Sequence, residues 1–292
     1  MVREGDFEEP KLSGVGATLS PLAQLLMEGI IEMTLRDTAW PEGTPSWVDL
    51  MVADPGRAAA FYGALFGWRF EDQGEEYGHY SIATIDGRAV AAVGPQPPAA
   101  DGQGAAWTTY LAVADVDKTV TKIGEAGGHV LVPPGDVGDS GRMAIAADPT
   151  GAVFGLWQAG DHIGAGIANV PATMVWNECM TRDFETAKAF YERVFGYRFD
   201  DLSNDGFVYG VLNVGDRTVG GLGQLPAEVP AEVPPHWSVY FGVIDTDAAV
   251  AKVAELGGRR LSDPQDSPYG RMAQMLDDQG VPFTLISVEP GA

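Results

Sequence analysis

The chain repeats itself, and a duplicated sequence must fold into like halves. Trp47-Val-Asp-Leu-Met-Val-Ala-Asp54 returns as Trp176-Asn-Glu-Cys-Met-Thr-Arg-Asp183. Phe61-Tyr62 and Leu65-Phe66-Gly67-Trp68-Arg69-Phe70 return as Phe190-Tyr191 and Val194-Phe195-Gly196-Tyr197-Arg198-Phe199, an offset of 190 − 61 = 129 residues. Trp107, Tyr110, Asp115 and Gly127-Gly128 match Trp237, Tyr240, Asp245 and Gly257-Gly258. Gly141-Arg-Met143 matches Gly270-Arg-Met272, and Asp148-Pro-Thr-Gly151 matches Asp277-Asp-Gln-Gly280.

Each half holds a weaker repeat of its own. Trp47 to Asp54 resembles Trp107 to Asp115: a short strand followed by a helix start. Asp54-Pro55 reads as an N-cap with proline at the first helical position. Apolar residues at 58, 61, 62, 65 and 66 keep helical spacing until Gly67. In the second module Val116, Val120 and Ile123 do the same, before Gly127-Gly128. Short alternating runs follow, such as Tyr80-Ser-Ile-Ala-Thr-Ile and Met143-Ala-Ile-Ala-Ala, with turns at Asp86-Gly87 and Asp148-Pro149. Four β-α-β-β-β modules result, an α+β chain. The expected divisions are a leader over 1–44, a first domain over 45–160 and a second over 170–292. Leu22 to Leu35 could form a short amphipathic helix, and residues 1–38, which have no repeat partner, are expected to be largely mobile and dispensable for the fold.

Composition narrows the function. With 41 acidic against 18 basic residues the formal charge is −23, so neither nucleic acid nor an anionic membrane is an expected partner. No apolar run approaches the ~20 residues that span a bilayer, and Met1 to Pro10 does not read as a secretion signal. One cysteine, Cys179, excludes an internal disulfide. A soluble cytoplasmic protein is expected.

Four such modules, Phe-Tyr in the first helix of each half, the Phe-Gly-Trp/Tyr helix stop and the Asp-Pro-x-Gly turn resemble the vicinal oxygen chelate superfamily, which includes glyoxalase I, extradiol dioxygenases and bleomycin-binding proteins. The resemblance covers roughly residues 45–288. It implies paired modules whose mixed sheets curl into cupped barrels, usually with a divalent metal on His, Gln and Glu in the cup. Carried over by register, the ligand positions fall on Trp47, Thr108, Trp176 and Ser238 in the first strands, and on Gly155 and Thr284 in the last. None offers imidazole, carboxylate or thiolate. The histidines are scattered: His79 near a strand start, His129 after a helix end, His162 in the linker over 159–172, and His236 after Pro-Pro. No metal and no cofactor are expected.

Strand alternation puts Trp47, Asp49 and Met51 on the cup face, with Trp176, Glu178 and Met180 in the second half. Thr108, Tyr110, Ser238 and Tyr240 face inward from the neighbouring strands, and so does Trp157, whose counterpart is Ile286. Such walls suit a flat aromatic ligand. With its extra tryptophan, the first cup is expected to bind the more tightly. Trp107, Trp237, Phe61-Tyr62, Phe190-Tyr191 and Cys179 are read as core; the face of Met143 and Met272 is left open. Asp49 and Glu178 would serve as ligand-pairing carboxylates or as general bases, or be held by Arg142 and Arg271 or by nearby backbone.

The leading reading is a metal-free protein that sequesters or delivers a hydrophobic aromatic ligand. The resemblance extends this to a polyketide antibiotic such as an anthracycline, in antibiotic biosynthesis or resistance, with a biosynthetic enzyme that supplies or receives the ligand as partner. The alternative is an enzyme: cofactor-free with Asp49 or Glu178 as base, or a metalloenzyme with unusual ligands. Whether it catalyses anything is left open, leaning against.

Overall fold

The computed structural model describes residues 33–96, 104–204 and 206–288. In the first half, β2 (Pro45–Val52), α1 (Pro55–Phe66), β3 (Arg69–Asp72), β4 (Ser81–Ile85) and β5 (Arg88–Pro95) form one module. The second module comprises β6 (Trp107–Ala112), α2 (Val116–Glu125), β7 (His129–Val137), β8 (Gly141–Ala147) and β9 (Val153–Ala159). The two make one eight-stranded sheet, ordered β3-β4-β5-β2-β6-β9-β8-β7. The modules join through the antiparallel pair β2·β6, and each first strand runs parallel to its module's last.

The second half repeats this plan. Its third module holds β11 (Met174–Thr181), α3 (Phe184–Phe195), β12 (Arg198–Asp201), β13 (Tyr209–Val214) and β14 (Arg217–Gln224). The fourth holds β15 (His236–Val243), α4 (Thr246–Glu255), β16 (Arg259–Arg260), β17 (Gln265–Ser267), β18 (Gly270–Leu276) and β19 (Pro282–Ser287). This module departs from the expected pattern: the strand after its helix is broken in two, and both pieces pair with β18. Pro264, which lacks an amide donor, lies in the gap.

The helix ends follow the sequence signals. Asp54, Asp115, Asp183 and Asp245 each accept from the backbone amide three residues on. Gly67 and Gly196 close their helices at φ 76° and 69°, a left-handed conformation that other residues enter only with strain.

The halves do not enclose separate cores. Tyr62 and Trp107 pack with Phe241 and Phe283 of the other half, while Phe154 packs with Phe190 and Tyr191. Thr109 and Asn177, both buried, hydrogen-bond across the sheets at 2.9 Å. The two sheets therefore meet back to back, and strand alternation turns the faces carrying Trp47 and Trp176 away from each other.

Part of the leader belongs to the fold. Thr34–Leu35 is a strand, β1, paired with β10 (Ile167–Ala168) in the linker between the halves. The helix expected through Leu35 thus does not reach these residues, because their backbone groups are satisfied by the linker strand; the rest of that expectation, 22–32, lies outside the described residues. Arg36 N donates to Gly166 O at 3.0 Å, and Trp40 Nε1 donates to Ala165 O at 2.9 Å. Arg88 of β5 donates to Arg36 O at 3.1 Å, so residues 34–40 are tied to the linker and to the first half.

Candidate functional site: two carboxylate cups

Asp49 stands mid-way along β2, beside Thr108 of β6. Tyr80, just before β4, and Tyr110 of β6 both donate their hydroxyls to Asp49 Oδ2 at 3.1 Å. Trp47 Nε1 in turn donates to the Tyr80 oxygen at 3.0 Å. The second half rebuilds the set: Trp176 Nε1 donates to Tyr209 Oη at 3.0 Å, and Tyr209 and Tyr240 donate to Glu178 Oε2 and Oε1 at 2.7 and 2.6 Å. The extra methylene of Glu178 spreads its tyrosines over both oxygens. In Asp49 both crowd onto Oδ2, while Oδ1, buried, accepts no close hydrogen bond; the Thr108 hydroxyl lies near enough to Asp49 to favour its charged form.

Burial dominates the electrostatics. It pushes Asp49 up to about 6, against the pull of the Tyr110, Tyr80 and Thr108 hydroxyls. It raises Glu178 as well, opposed by Tyr240, Tyr209, Trp176 and the charge of His236. Burial and then the neighbouring carboxylates hold Tyr80, Tyr110, Tyr209 and Tyr240 well above their ordinary range, so all four are hydrogen donors.

Glycines make room for the rings. A Cβ on Gly155 would stand 2.2 Å from the Tyr110 ring, and one on Gly221 would stand 1.9 Å from the Tyr209 hydroxyl. Gly155 is a metal-ligand position by register, and Tyr110 fills the space its side chain would take. Thr284 lies opposite Tyr240 in the same relation. With Trp47, Thr108, Trp176 and Ser238 at the other positions, the donor set does not fit a divalent metal. Among the described residues no three His, Cys, Asp or Glu side chains cluster to hold one.

The cups differ in what covers them. In the first, the linker brings the His162 ring edge-on to Trp47 at 4.4 Å and to Trp157 at 5.5 Å. Trp157 Nε1 donates to His162 O at 2.8 Å, so the tryptophan expected to make this the tighter cup is engaged by the chain itself. Burial pushes His162 down to about 4, which keeps it neutral. In the second cup Trp176, Met180 and Ser238 remain half-buried. Trp176, Tyr269 and Met272 pack against Tyr240 and Ile286, and Phe207, 41% exposed, stacks on Tyr209 at 5.3 Å. Met51 is half-buried in the first cup. Met143 pairs across strands with Trp157, and Met272 with Ile286, so both methionines take the cup face.

Arg142 and Arg271 do not hold the carboxylates. Arg142 pairs with Asp117 and Asp136, and Arg271 with Asp247 and Asp266; all four partner carboxylates are well exposed, while the two arginine side chains are about a third exposed. Trp107, Trp237 and Cys179 are core: each indole donates to a helix tyrosine, Tyr62 or Tyr191, and Cys179 is fully buried. Sequence reasoning missed Tyr80, Tyr209 and His162. The tyrosines carried a signal, the same 129-residue offset (209 − 80) as the tryptophans and carboxylates. His162 carried none, because the linker is not duplicated.

The family model described as the Glyoxalase/Bleomycin resistance protein/Dioxygenase superfamily matches residues 44–156 and 173–285. The chain belongs to that superfamily. It is 46% identical over 260 residues to "Putative glyoxylase CFP32" of Mycobacterium tuberculosis (strain CDC 1551 / Oshkosh), covering 87% of this chain and 98% of the relative. It is 37% identical over 269 residues to anthracycline biosynthesis protein DnrV of Streptomyces peucetius, covering 87% and 96%. Among solved structures, the 2,3-dioxygenase LapB of Pseudomonas sp. KL28 shares the fold at a TM-score of 0.60 and 14% identity, over 86% of this chain and 94% of that one. The Mn(II)-bound glyoxalase of Novosphingobium aromaticivorans does so at 0.59 and 16%, over 85% and 83%. Among the described residues no helix is long and apolar enough to cross a membrane.

Proposed function

We propose that the protein binds a flat, hydrophobic aromatic molecule in its second cup without a metal, and sequesters or delivers it. The observation that carries this reading is the half-buried Trp176 above a buried Glu178, whose two oxygens are taken by Tyr209 and Tyr240. An indole left partly open offers a stacking face, and Met180 and Met272 adapt to an irregular outline. A polar floor beneath apolar walls orients a ligand through few directed contacts. Likeness to an anthracycline biosynthesis protein supports a polycyclic ligand, and a chain of −23 favours a neutral or amine-bearing one. We place the binder in the cytoplasm, handing its ligand to or from a biosynthetic enzyme. Doxorubicin, as a soluble tetracyclic amine, should quench indole fluorescence saturably in the range of about 1–100 μM. Trp176→Ala should weaken this binding and Trp47→Ala should not. Absence of saturable quenching, or equal binding by both variants and the parent, would sink the reading.

One observation favours a cofactor-free enzyme instead: Asp49 has an oxygen without a close hydrogen bond and a pKa raised to about 6, as a general base would need. That reading requires turnover of a bound aromatic substrate to vanish in Asp49→Asn while binding persists.

A further inference from the structure

The interdomain linker enters the first cup. After β9 the chain folds back on its own sheet, with the amides of Asp161 and His162 donating to Asp139 O and Ser140 O at 3.0 Å each. This sets the imidazole against Trp47 and Trp157. Three residues further on the linker is pinned again, by Ala165 N to Ser46 O at 2.7 Å and Gly166 N to Ala89 O at 2.8 Å. Gly164 lies between, at φ 93° and so near Ser46 O that a Cβ would stand 2.4 Å from it. The Arg88 guanidinium holds the far side, donating to Arg36 O and Gly166 O at 3.1 and 3.2 Å. The backbone of His162 is thus itself anchored, and its ring is held in the cup from that anchor. Among the described residues no aromatic ring stands against Trp176 as His162 stands against Trp47.

Two polar atoms in the first cup are buried without a close hydrogen bond, Asp49 Oδ1 and His162 Nε2; Asp49's further hydroxyl neighbour is Thr108. Asp49 is only 4% exposed. Such atoms keep the cost of leaving water and recover none of it. A molecule that took the imidazole's place and donated to Asp49 Oδ1 would satisfy the first atom and release the second to solvent. The imidazole is itself a flat aromatic ring held edge-on by two indoles, so the space it fills is shaped for a ring.

We propose that the first cup is a second ligand site, for a flat aromatic molecule bearing a neutral hydrogen-bond donor such as an aromatic amine or phenol, and that His162 of the same chain occupies it in that molecule's place. The inference rests on the reading of the second cup as a site for aromatic ligands. One cup is then open and the other self-occupied, and the span 160–163 decides whether the chain takes one molecule or two.

The test is stoichiometry by calorimetry with 2-aminoanthraquinone, and with anthraquinone as its counterpart lacking a donor. The unsubstituted protein should take one equivalent of the amine. His162→Ala should take two, the new one binding the amine about tenfold more tightly than anthraquinone, the expected scale for leaving a buried acceptor unpaired. Should His162→Ala fold poorly, His162→Ser, which also removes the ring and keeps the backbone anchors of this segment, should likewise admit a second equivalent. Two equal equivalents on the unsubstituted protein, or one on both variants, overturn the proposal. No binding to the unsubstituted protein but one equivalent on His162→Ala would overturn the second-cup reading and leave the first-cup site standing. No binding to any of them overturns both.

Discussion

Tyr62, on the helix of the first module, donates its hydroxyl to Asp277 of the fourth at 3.1 Å, across the boundary between the halves. The same hydroxyl accepts from Trp107 Nε1 at 3.1 Å. At the pseudo-equivalent place Tyr191 meets not Asp148 but the Cys179 sulfur, at 3.7 Å, with Asp148 Oδ2 3.9 Å beyond it. Cys179 stands where the first half has Leu50, and its thiol has come between the tyrosine and the carboxylate. At these two equivalent places, then, one strong polar contact and one weak one cross the boundary.

Tyr62→Phe should therefore destabilise the protein more than Tyr191→Phe. Both changes strand an indole N–H, but only the first also removes a donor from a buried carboxylate. That second loss adds about 1–3 kcal/mol, read as the difference between the two variants in urea unfolding. Equal losses would show that the Tyr62–Asp277 bond carries no special weight.

Asp49 ties stability to pH. Its folded pKa is raised from the ordinary 3.8 to about 6, so the stability it contributes is complete below about 3.8 and is lost as the pH climbs through about 6. The rise corresponds to roughly 3 kcal/mol. Asp49→Asn cannot titrate, so wild type should lose about that much relative to the variant between about pH 4 and pH 8. Denaturation curves at several pH values test this, and a pH-independent difference refutes it.

Gly155→Ala should cost about 1–3 kcal/mol or more, the range for overpacking a filled interior, because the new methyl meets the Tyr110 ring at 2.2 Å. Tyr110→Ala in the same chain should recover part of the loss. Additivity of the two changes in thermal denaturation would show that they do not contest the same space.

Glu178→Gln keeps the size of the cup floor and removes its charge. If a ligand amine pairs with this carboxylate, doxorubicin affinity should fall by about 1–3 kcal/mol, the scale of a charge-assisted hydrogen bond. A neutral anthraquinone should bind almost as before. Equal loss for both ligands would mean that the substitution distorted the cup rather than removed a pairing charge.

A chelator should leave the melting temperature unchanged, since the positions that would ligate a metal hold indole, hydroxyl or no side chain at all. A fall in melting temperature with EDTA, restored by one equivalent of a divalent ion, would overturn this.

The duplication, the four modules, the Asp caps, the glycine stops and the faces of β2 and β11 were all legible in the chain. Each is a local property: capping depends on residues three apart, and strand parity on alternate ones. Parity alone placed Trp47 with Asp49 and Trp176 with Glu178. Tertiary structure decided the rest. It chose Tyr80 and Tyr209 to share the carboxylates, sent Arg142 and Arg271 to surface partners, packed the core of each half against the other, and put His162 into one cup only. Periodicity fixes which way a side chain points; what stands opposite it is set by strands and linkers distant in sequence, whose approach depends on how the whole chain closes.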